Sequence, residues 1–486
     1  MKLQDLKEKL VNKFPNRESS IKDDFKKNKF NNFNSSKLLV SNNSLNYKGE
    51  KNLNNENKYN LDNLVIIGVT GSKGKSTVCK MIHEYLKSIG KKSILYSSVE
   101  IDSLSSSKLS KTSCERAINK EEDLLDIIEE AEAYECEYLI LEVNDMSINK
   151  GLVKDIPFDI RVLTNIHKKN SKEFFSIDEY IEIKKSFIRD IDKNDSCKCI
   201  IGMCDQYLLE EFNDLIRICP KEVITYGSKY LCDVWNVNDN NLDYMVYGDE
   251  SSNLNTLNGI NFKVRMNELN YDIKAKSIFS FSTLNILSVI SVLDTLNLFD
   301  VNSFNKLLGK INIDGRDELI CVNGRYFLIG ISLMPHLELL NIMKEKNEFN
   351  KLKVITASIG ENFVTWDKEF SDVKRLSKLE GIRRQAMRYV DEYADVVYLT
   401  SNDPASTDKQ SLIDELKSHY KNLDKIRECP ERKEAIKFAV NESEKGDLIY
   451  ISGRGNRNRF CNTFNEMQVY TDKDVLMQVL KDKGWI

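Results

Sequence analysis

A glycine-rich segment near the front of the chain carries the residues best suited to phosphate chemistry. Gly68-Val-Thr-Gly-Ser-Lys-Gly-Lys-Ser-Thr77 follows the apolar run 64–69 and precedes residues 78–89, where apolar side chains recur at helical spacing. A glycine loop between a strand and a helix turns backbone N–H groups and the helix N-terminus toward an anion. The Lys75 ammonium would reach the terminal phosphates of a nucleotide, and the Ser76 hydroxyl would bind Mg²⁺.

The segment departs from strict phosphate-loop spacing. Val69 stands where the strict pattern has its first glycine, and Gly68 lies one residue earlier. The alternative is a glycine turn that joins a strand to a helix and binds nothing, but the flanking strand and helix favour phosphate binding. The residues predicted to contact the nucleotide in this loop are Gly71, Ser72, Lys73, Gly74, Lys75, Ser76 and Thr77.

A second candidate lies at the end of a predicted strand. Glu142 follows the apolar run 138–141, and ligands of parallel α/β sheets bind beyond the carboxyl ends of the strands. A carboxylate there can hold Mg²⁺, which takes oxygen ligands. A solvated glutamate without a ligand is the alternative, and the nearby loop favours the metal site. No metal-ligand spacing is found for the four scattered histidines, His83, His167, His336 and His419.

The elements that would position these residues alternate between strands and helices from residue 62 onward, which predicts βαβ units and a mainly parallel sheet. Short strands with Asn, Asp and Gly turns over residues 224–275 predict an antiparallel section, and residues 279–298 predict an apolar helix. Residues 312–316 are interpreted as a hinge. The predicted fold class is α/β, with a central phosphate-loop ATPase domain and a second Rossmann-like α/β domain, bounded at 62–311 and 312–486.

Residues 1–61 have a different composition. They are rich in Asn, Lys and Ser and poor in apolar residues, which predicts a short polar N-terminal arm or a reduced first domain. One short helix is compatible with the spacing of Leu3, Leu6, Leu10 and Val11.

Composition excludes several classes of function. The 486 residues, enough for about three domains, carry a net charge of −4, which gives no electrostatic reason to expect nucleic-acid binding. No apolar run approaches the roughly 20 residues that span a bilayer, and the start of the chain lacks the apolar core of a signal peptide. We therefore expect a cytoplasmic protein without membrane insertion. The oligomeric state is not predicted.

An ordered series of motifs resembles the Mur ligase family. Residues 68–77 are similar to the family's Gly-x-Thr-Gly-Thr-x-Gly-Lys-[Thr/Ser], including the offset glycine. The likeness spans about residues 62–486 and is nearest to the muramyl-tripeptide synthetase branch. The other similar segments, in the family's order, are Thr112-Ser-Cys-Glu115, Leu141-Glu-Val-Asn144, Thr164-Asn165, Tyr180-Ile-Glu-Ile-Lys184, Gly315-Arg-Asp-Glu318, 393–401 and 446–455.

The resemblance implies an ATP-dependent acid–amino-acid ligase of peptidoglycan synthesis in the cell wall. Its cofactors would be ATP and Mg²⁺, and its substrates a UDP-muramyl-peptide-like carboxylate donor and an amino acid acceptor. By the same resemblance Lys184 is the family's carbamylated lysine, a ligand of a second Mg²⁺. The implied catalytic residues are Lys75 and Lys184, the implied metal ligands Ser76, Glu142 and Lys184, and the further ATP-binding residues Asn165 and Arg316.

Several family residues are replaced. The family's Asp-His is replaced by Lys169 and Asn170. The family's Asp-Tyr-Ala-His-Thr-Pro is replaced by Gly330-Ile-Ser-Leu-Met-Pro335, which lacks both the Asp and the His. The family's Asp-Asn-Pro-Arg motif binds diaminopimelate through its arginine, and Ala405 replaces that arginine here. The family's Gly-Lys-Gly-His-Glu is replaced by Gly453-Arg-Gly-Asn-Arg457. The alternative hypothesis is a degenerate paralogue that binds nucleotide and acts as a regulatory or interaction protein without ligation. A folylpolyglutamate-type ligase is a further alternative that no residue of the last domain supports.

Overall fold

A computed structural model describes most of the chain from residue 61 onward together with a short N-terminal helix. The described residues are 2–14, 61–98, 100–102, 118, 120–167, 177–191, 196–203, 208, 212–236, 242–247, 254–266, 268–359, 373–463 and 465–486. The helices in these ranges are α1 (Leu3–Lys13), α2 (Lys75–Ser88), α3 (Glu121–Ala133), α4 (Asp145–Asn149), α5 (Ile177–Arg189), α6 (Phe212–Ile218), α7 (Lys229–Val234), α8 (Ser282–Thr295), α9 (Val301–Leu308), α10 (Met334–Glu345), α11 (Val373–Tyr393), α12 (Lys409–Lys417), α13 (Arg432–Asn441) and α14 (Asp472–Asp482).

The strands in the same ranges form three sheets. They are β1 (Val65–Thr70), β2 (Ser93–Tyr96), β3 (Ile101–Asp102), β4 (Tyr138–Glu142), β5 (Ile160–Leu163), β6 (Lys198–Met203), β7 (Glu222–Ser228), β8 (Tyr244–Tyr247), β9 (Ile260–Met266), β10 (Leu269–Ala275), β11 (Glu318–Val322), β12 (Arg325–Ile329), β13 (Leu352–Ile359), β14 (Val396–Asn402), β15 (Ile426–Glu428), β16 (Leu448–Ile451), β17 (Arg459–Thr463) and β18 (Glu466–Val469).

The first sheet has ten strands in the order β10-β9-β8-β7-β6-β5-β1-β4-β2-β3. The strands from β8 to β2 in this order pair in parallel, and β3, β9 and β10 join antiparallel. In the centre, Val69 of β1 lies beside Glu142 of β4, and Thr70 lies beside Leu163 of β5. The carboxyl ends of β1, β4 and β5 therefore finish together at one edge, as the alternating pattern predicts.

Helices cover both faces of this sheet. Successive apolar side chains of β1 point to opposite faces, and each face has its own core. Ile66 faces a core that includes Leu124 of α3 and Tyr180 of α5. Ile67 faces the opposite core, where Ile82 of α2 packs with residues of α8. A parallel sheet buried on both faces is the arrangement that βαβ connections produce.

The predicted antiparallel section at residues 224–275 is only partly correct. Strands β8, β9 and β10 do pair antiparallel, but β7 joins both β6 and β8 in parallel. Helix α7 forms part of the connection between β7 and β8, and such a crossover permits parallel pairing. The predicted helix at residues 279–298 is shorter at both ends, Ser282–Thr295.

The second sheet has the order β11-β12-β16-β13-β14-β15, and only β11 runs antiparallel to its neighbour. Its strands alternate with helices along the chain, as the sequence predicts for the second α/β domain. Phe279, which precedes α8, is buried in the core of this sheet beside Tyr450. The two sheet units are therefore in contact, whereas the domain bounds at 61/62 and 311/312 stay predictions.

Helix α1 packs into the first-sheet unit. Leu3, Leu6 and Leu10 form its buried face in the core that contains Ile66, while Val11 lies on the exposed side. The spacing of the leucines predicts the helix, but not the surface that covers it. Among the described residues, no helix combines the length and apolar composition that crossing a bilayer requires.

The packing of α1 is tested by replacing Leu6 with alanine. We expect the free energy of unfolding to fall by about 2–5 kcal/mol, because lost contacts and a cavity both destabilise the folded state. Val11→Ala on the exposed face should change it by less than about 0.5 kcal/mol. The measurement is the first urea transition followed by circular dichroism, and equal losses in both variants would contradict the packing.

Candidate active site

The loop between β1 and α2 has a backbone that requires glycine at two positions. Gly71 has φ +146° and Gly74 has φ +83°, and a Cβ on Gly71 would lie 2.0 Å from Oγ1 of Thr164. A Cβ on Gly74 would lie 2.2 Å from Oδ1 of Asn285. Gly74 is also the N-cap of α2 and has no side chain to cap the first turn. The N–H groups of that turn therefore face the loop, where an anion can accept their hydrogen bonds.

The residues after β5 hold the loop from one side. The backbone N–H of Ser72 donates to the carbonyl oxygen of Asn165 at 2.9 Å, and the N–H of Lys73 donates to Asn165 Oδ1 at 2.8 Å. The side-chain amide of Asn165 and the hydroxyl of Thr164 both donate to the Lys73 carbonyl, at 3.0 and 2.7 Å. Asn165, which the family resemblance assigns to ATP, thus fixes the shape of the loop.

Ser72 has two further partners. Its hydroxyl lies 2.5 Å from the Tyr180 hydroxyl and accepts a hydrogen bond from the N–H of His167 at 2.8 Å. Tyr180 belongs to α5, the helix that also carries Lys184. The loop is therefore in direct contact with the helix that carries the predicted lysine.

Ser76 and Glu142 come together at the start of α2. The Ser76 hydroxyl donates to Glu142 Oε2 at 2.8 Å, and the backbone N–H and hydroxyl of Ser98 donate to the same oxygen at 2.8 and 2.9 Å. Lys75 Nζ donates to the carbonyl oxygen of Gly71 at 2.9 Å. A hydroxyl and a carboxylate in contact beside a lysine supply oxygen ligands of the kind that Mg²⁺ prefers.

Lys184 is fully buried and lies on the other side of the β1 end. Its Nζ donates to Thr70 Oγ1 at 2.9 Å and forms an ion pair with Asp145. Burial lowers the pKa of Lys184 to about 8, and the Asp145 carboxylate opposes that shift. The Thr70 hydroxyl in turn donates to the Val143 carbonyl at 2.8 Å. Sequence reasoning missed Asp145 and Ser98, although each lies just past a strand that ends at this edge.

The second sheet borders the site. Lys73 Nζ turns away from the loop and donates to Ser332 Oγ, three residues beyond β12, at 3.0 Å. Arg316 is half-buried, and burial lowers its pKa while the charges of Glu142 and Asp317 oppose that shift. Arg316 therefore lies within electrostatic reach of the carboxylate that contacts Ser76.

The structure gathers most of the predicted residues at one edge of the first sheet. Lys75, Ser76, Glu142 and Lys184 surround the end of β1, and Thr77 follows in the first turn of α2. The replaced residues at 169 and 170 and the motif at 112–115 lie outside the described residues.

Two sequence models of one family match the chain. The Mur ligase middle domain matches residues 69–293, and the Mur ligase glutamate ligase domain matches residues 374–455. Together they cover more than half of the chain. The chain belongs to the Mur ligase family.

A relative among curated proteins supports the branch of the family. The UDP-N-acetylmuramoyl-L-alanyl-D-glutamate–2,6-diaminopimelate ligase of Caldanaerobacter subterraneus is 25% identical over 399 residues, which cover 81% of this chain and 73% of that ligase. This branch, the muramyl-tripeptide synthetases, is the one that the sequence motifs resemble.

Solved structures share the fold. A UDP-N-acetylmuramoyl-L-alanyl-D-glutamate–2,6-diaminopimelate ligase superposes with a TM-score of 0.57 at 18% identity, over 87% of this chain and 79% of the other. The MurF ligase of Thermotoga maritima, solved in complex with ADP, gives a TM-score of 0.55 at 14% identity, over 86% and 80% of the two chains. The α/β fold of this Mur ligase family member is thereby established.

The shape of the loop is tested by Gly71→Ala. The added methyl group would collide with Thr164, so the loop must shift, and we expect the affinity for ADP to fall about tenfold or more. Gly90→Ala is the matched control, because Gly90 also has positive φ (+79°) but a Cβ there meets nothing within 4 Å. Isothermal titration with ADP measures both variants. Equal affinity in the two would show that the loop does not hold the nucleotide.

Proposed function

We propose that this chain is an ATP-dependent carbon–nitrogen ligase of peptidoglycan synthesis. It would join an amino acid to the carboxylate of a UDP-muramyl-peptide-like donor. The observation that carries this proposal is the contact of Ser76 with Glu142 at the N-terminus of α2, beside Lys75. The named relative, a ligase of a muramyl peptide, supports the donor class. The proposed domains are the segments 62–311 and 312–486.

The residues present fit ATP and Mg²⁺. The first-turn N–H groups of α2 and the left-handed Gly71 and Gly74 form a cradle that side chains would fill. Ser76 and Glu142 would hold Mg²⁺, which when bound would neutralise phosphate charge. Lys75 Nζ donates to the Gly71 carbonyl oxygen and would donate to a phosphate oxygen instead when ATP binds.

The reaction brings two anions together, so the chain must offset their repulsion. The donor carboxylate attacks the γ-phosphorus of ATP, which gives an acyl phosphate and ADP. The acceptor amine then attacks the acyl carbon, phosphate leaves, and the amine loses a proton as the amide forms. Lys75 and Arg316 would reduce the repulsion in the first step. The second sheet, in contact through Lys73 and Ser332, would exclude water from the acyl phosphate.

Lys184 would complete the metal site, as the family resemblance implies. Its amine is buried beside Thr70 and Asp145, and burial favours the uncharged form that adds carbon dioxide. A carbamate there would present oxygen atoms where the unmodified side chain presents an ammonium.

A degenerate paralogue that binds nucleotide without ligation remains the second candidate. The replacement of the family's Asp-His by Lys169 and Asn170 favours it, because neither residue supplies an imidazole.

The two candidates differ in the release of phosphate from ATP by the purified protein. We expect release only when the correct pair from a panel of UDP-muramyl peptides and amino acids is present. Lys75→Ala should abolish both ADP binding and release, because it removes the cation nearest the phosphates. ADP binding without release on any pair would favour the paralogue, and absence of ADP binding would reject both candidates.

A second prediction concerns Lys184. Lys184→Ala should lower turnover about a hundredfold or more, and short carboxylates such as acetate should restore part of it. Lys185→Ala removes the neighbouring lysine of the same helix and should leave turnover within about threefold. A carbon-13 NMR signal of a carbamate after labelled bicarbonate should be present in the wild type and in Lys185→Ala but absent in Lys184→Ala. If Lys184→Ala turned over at the wild-type rate, Lys184 would have no role as a metal ligand.

A further inference from the structure

Three thiols cluster near the amino end of β6, at the edge of the first sheet opposite the phosphate loop. Cys197 precedes β6, Cys199 is its second residue, and Cys219 follows α6. The Cys199 thiol interacts directly with the thiols of Cys197 and Cys219. Strands β6 and β7 pair in parallel with Lys198 beside Glu222, and this register brings the end of the α6 connection next to the start of β6. Three buried thiols are thus in one place without a role in the proposed ligase reaction.

A buried cation lies beside the thiols. Arg161 of β5 is the register neighbour of Cys199 and is 5% exposed. Its guanidinium packs against the rings of Phe158 and Phe187, 5.0 Å from each centroid, and Nη1 donates to the Phe187 carbonyl oxygen at 2.6 Å.

The charge of Arg161 is not balanced by a carboxylate in contact with it. Within the described parts of the chain no carboxylate forms an ion pair with Arg161, and its buried Nε has no hydrogen-bond partner. Negative charge on Cys197 and Cys199 would offset the burial of Arg161 most, followed by the half-exposed Asp190 carboxylate and by Cys219. Since a buried charge without a counter-charge is costly, the guanidinium favours a thiolate in this cluster.

Cys219 is the thiol that these surroundings favour as a thiolate. Its sulfur accepts hydrogen bonds from the Cys199 thiol and from the backbone N–H of Lys221, and the charge of Arg161 attracts it. These contacts hold the pKa of Cys219 below its usual range, although burial opposes them. Cys219 is also the most accessible of the three thiols, at 8% exposed against 2% for Cys197 and 0% for Cys199. A thiolate beside a cation, open to small molecules, is the form of cysteine that reacts with oxidants.

Another thiol of the same core shows the opposite behaviour. Cys136 is fully buried, and burial together with the charge of Glu130 raises its pKa to about 12. Burial in this core therefore suppresses the thiolate of Cys136, whereas the donors around Cys219 stabilise one.

We propose that Cys219 and Cys199 form a reversible oxidation site, in which a hydroperoxide oxidises Cys219 and Cys199 then closes a disulfide with it. The inference goes beyond the proposed function and does not depend on it. In the first step the Cys219 thiolate attacks a peroxide oxygen, so that an S–O bond forms, the O–O bond breaks and hydroxide or alkoxide leaves. The sulfur loses two electrons and becomes a sulfenic acid.

The contact between the two thiols supplies the second step. The Cys199 sulfur attacks the Cys219 sulfur, an S–S bond forms, and the S–O bond breaks. The hydroxyl group leaves with the Cys199 proton as water, so two thiols and one hydrogen peroxide molecule give one disulfide and two water molecules.

The first test maps the oxidised cysteines of the full wild-type chain. The reduced protein is treated with hydrogen peroxide at pH 7, alkylated in denaturant, digested and analysed by mass spectrometry. We expect a peptide pair joined by Cys199 and Cys219, which dithiothreitol separates. Cys219 should be oxidised at least about tenfold faster than Cys136, because the thiolate is the reactive form. If peroxide oxidises the exposed Cys321 while Cys199 and Cys219 stay reduced, the proposal is wrong.

The order of the two steps is tested with Cys199→Ser. The serine hydroxyl can still donate to Cys219 but cannot form a disulfide, so the sulfenic acid of Cys219 should accumulate and be trapped by dimedone. Cys197→Ser is the matched control, because it makes the same change at the third thiol and should still give the disulfide. A dimedone adduct absent from Cys219 in Cys199→Ser, or a wild-type disulfide that contains Cys197, would contradict the assigned pair.

The contribution of Arg161 is tested with Arg161→Met. Methionine preserves contact with the two phenylalanine rings and removes the charge. Oxidation of Cys219 should slow about fivefold, because loss of a nearby cation reduces the thiolate fraction. Arg189→Met is the matched control, since Arg189 lies at the end of α5 and is 43% exposed, and it should keep the wild-type rate. Equal rates in the two variants would show that the guanidinium does not activate the thiol.

Discussion

The site depends on the close fit between Gly71 and Thr164. The Thr164 hydroxyl occupies the space of a side chain on Gly71 and donates to the Lys73 carbonyl, so the loop can close against the end of β5 only because residue 71 is a glycine. This fit in turn requires β1 to lie between β4 and β5 in parallel register. The same register brings Glu142 to the start of α2.

Charge balance imposes the second constraint. Lys184 and Glu142 are both buried, and an unpaired buried charge is costly. Asp145 and Thr70 satisfy the lysine, and Ser76 and Ser98 satisfy the glutamate. These polar contacts orient the charged groups at the carboxyl end of β1. Polar groups that are already oriented need little reorganisation when charge develops beside them.

Sequence patterns predicted the parts of the structure that follow from local physics. Glycine positions, apolar periodicity and strand ends identified the loop, Glu142 and most strands, because each of these patterns is contained within a few neighbouring residues. Lys184 came from the family resemblance, since a lysine on a helix carries no local mark of burial. The parallel pairing of β7 and the packing of α1 depend on partners distant in the chain, which periodicity cannot specify.

The missed site residues share one property. Ser98, Asp145 and Ser332 each contact a predicted residue, but each comes from a different strand end and has no motif of its own. Their roles follow from the convergence of strand ends at one edge, which is known only once the strand order is known.

The distribution of the replaced residues bears on whether the chain is a ligase or a degenerate paralogue. Ala405 and Arg457 differ from the family at motifs of the last domain, including the one that reads diaminopimelate, whereas the loop, Ser76 and Glu142 keep a connected geometry. Both candidates bind nucleotide, so the geometry of the loop does not separate them. The described replacements fall in the last domain, at the motif that resembles the family's diaminopimelate-binding segment, and they leave Ser76 and Glu142 connected. These replacements therefore bear on the choice of acceptor rather than on the binding of ATP.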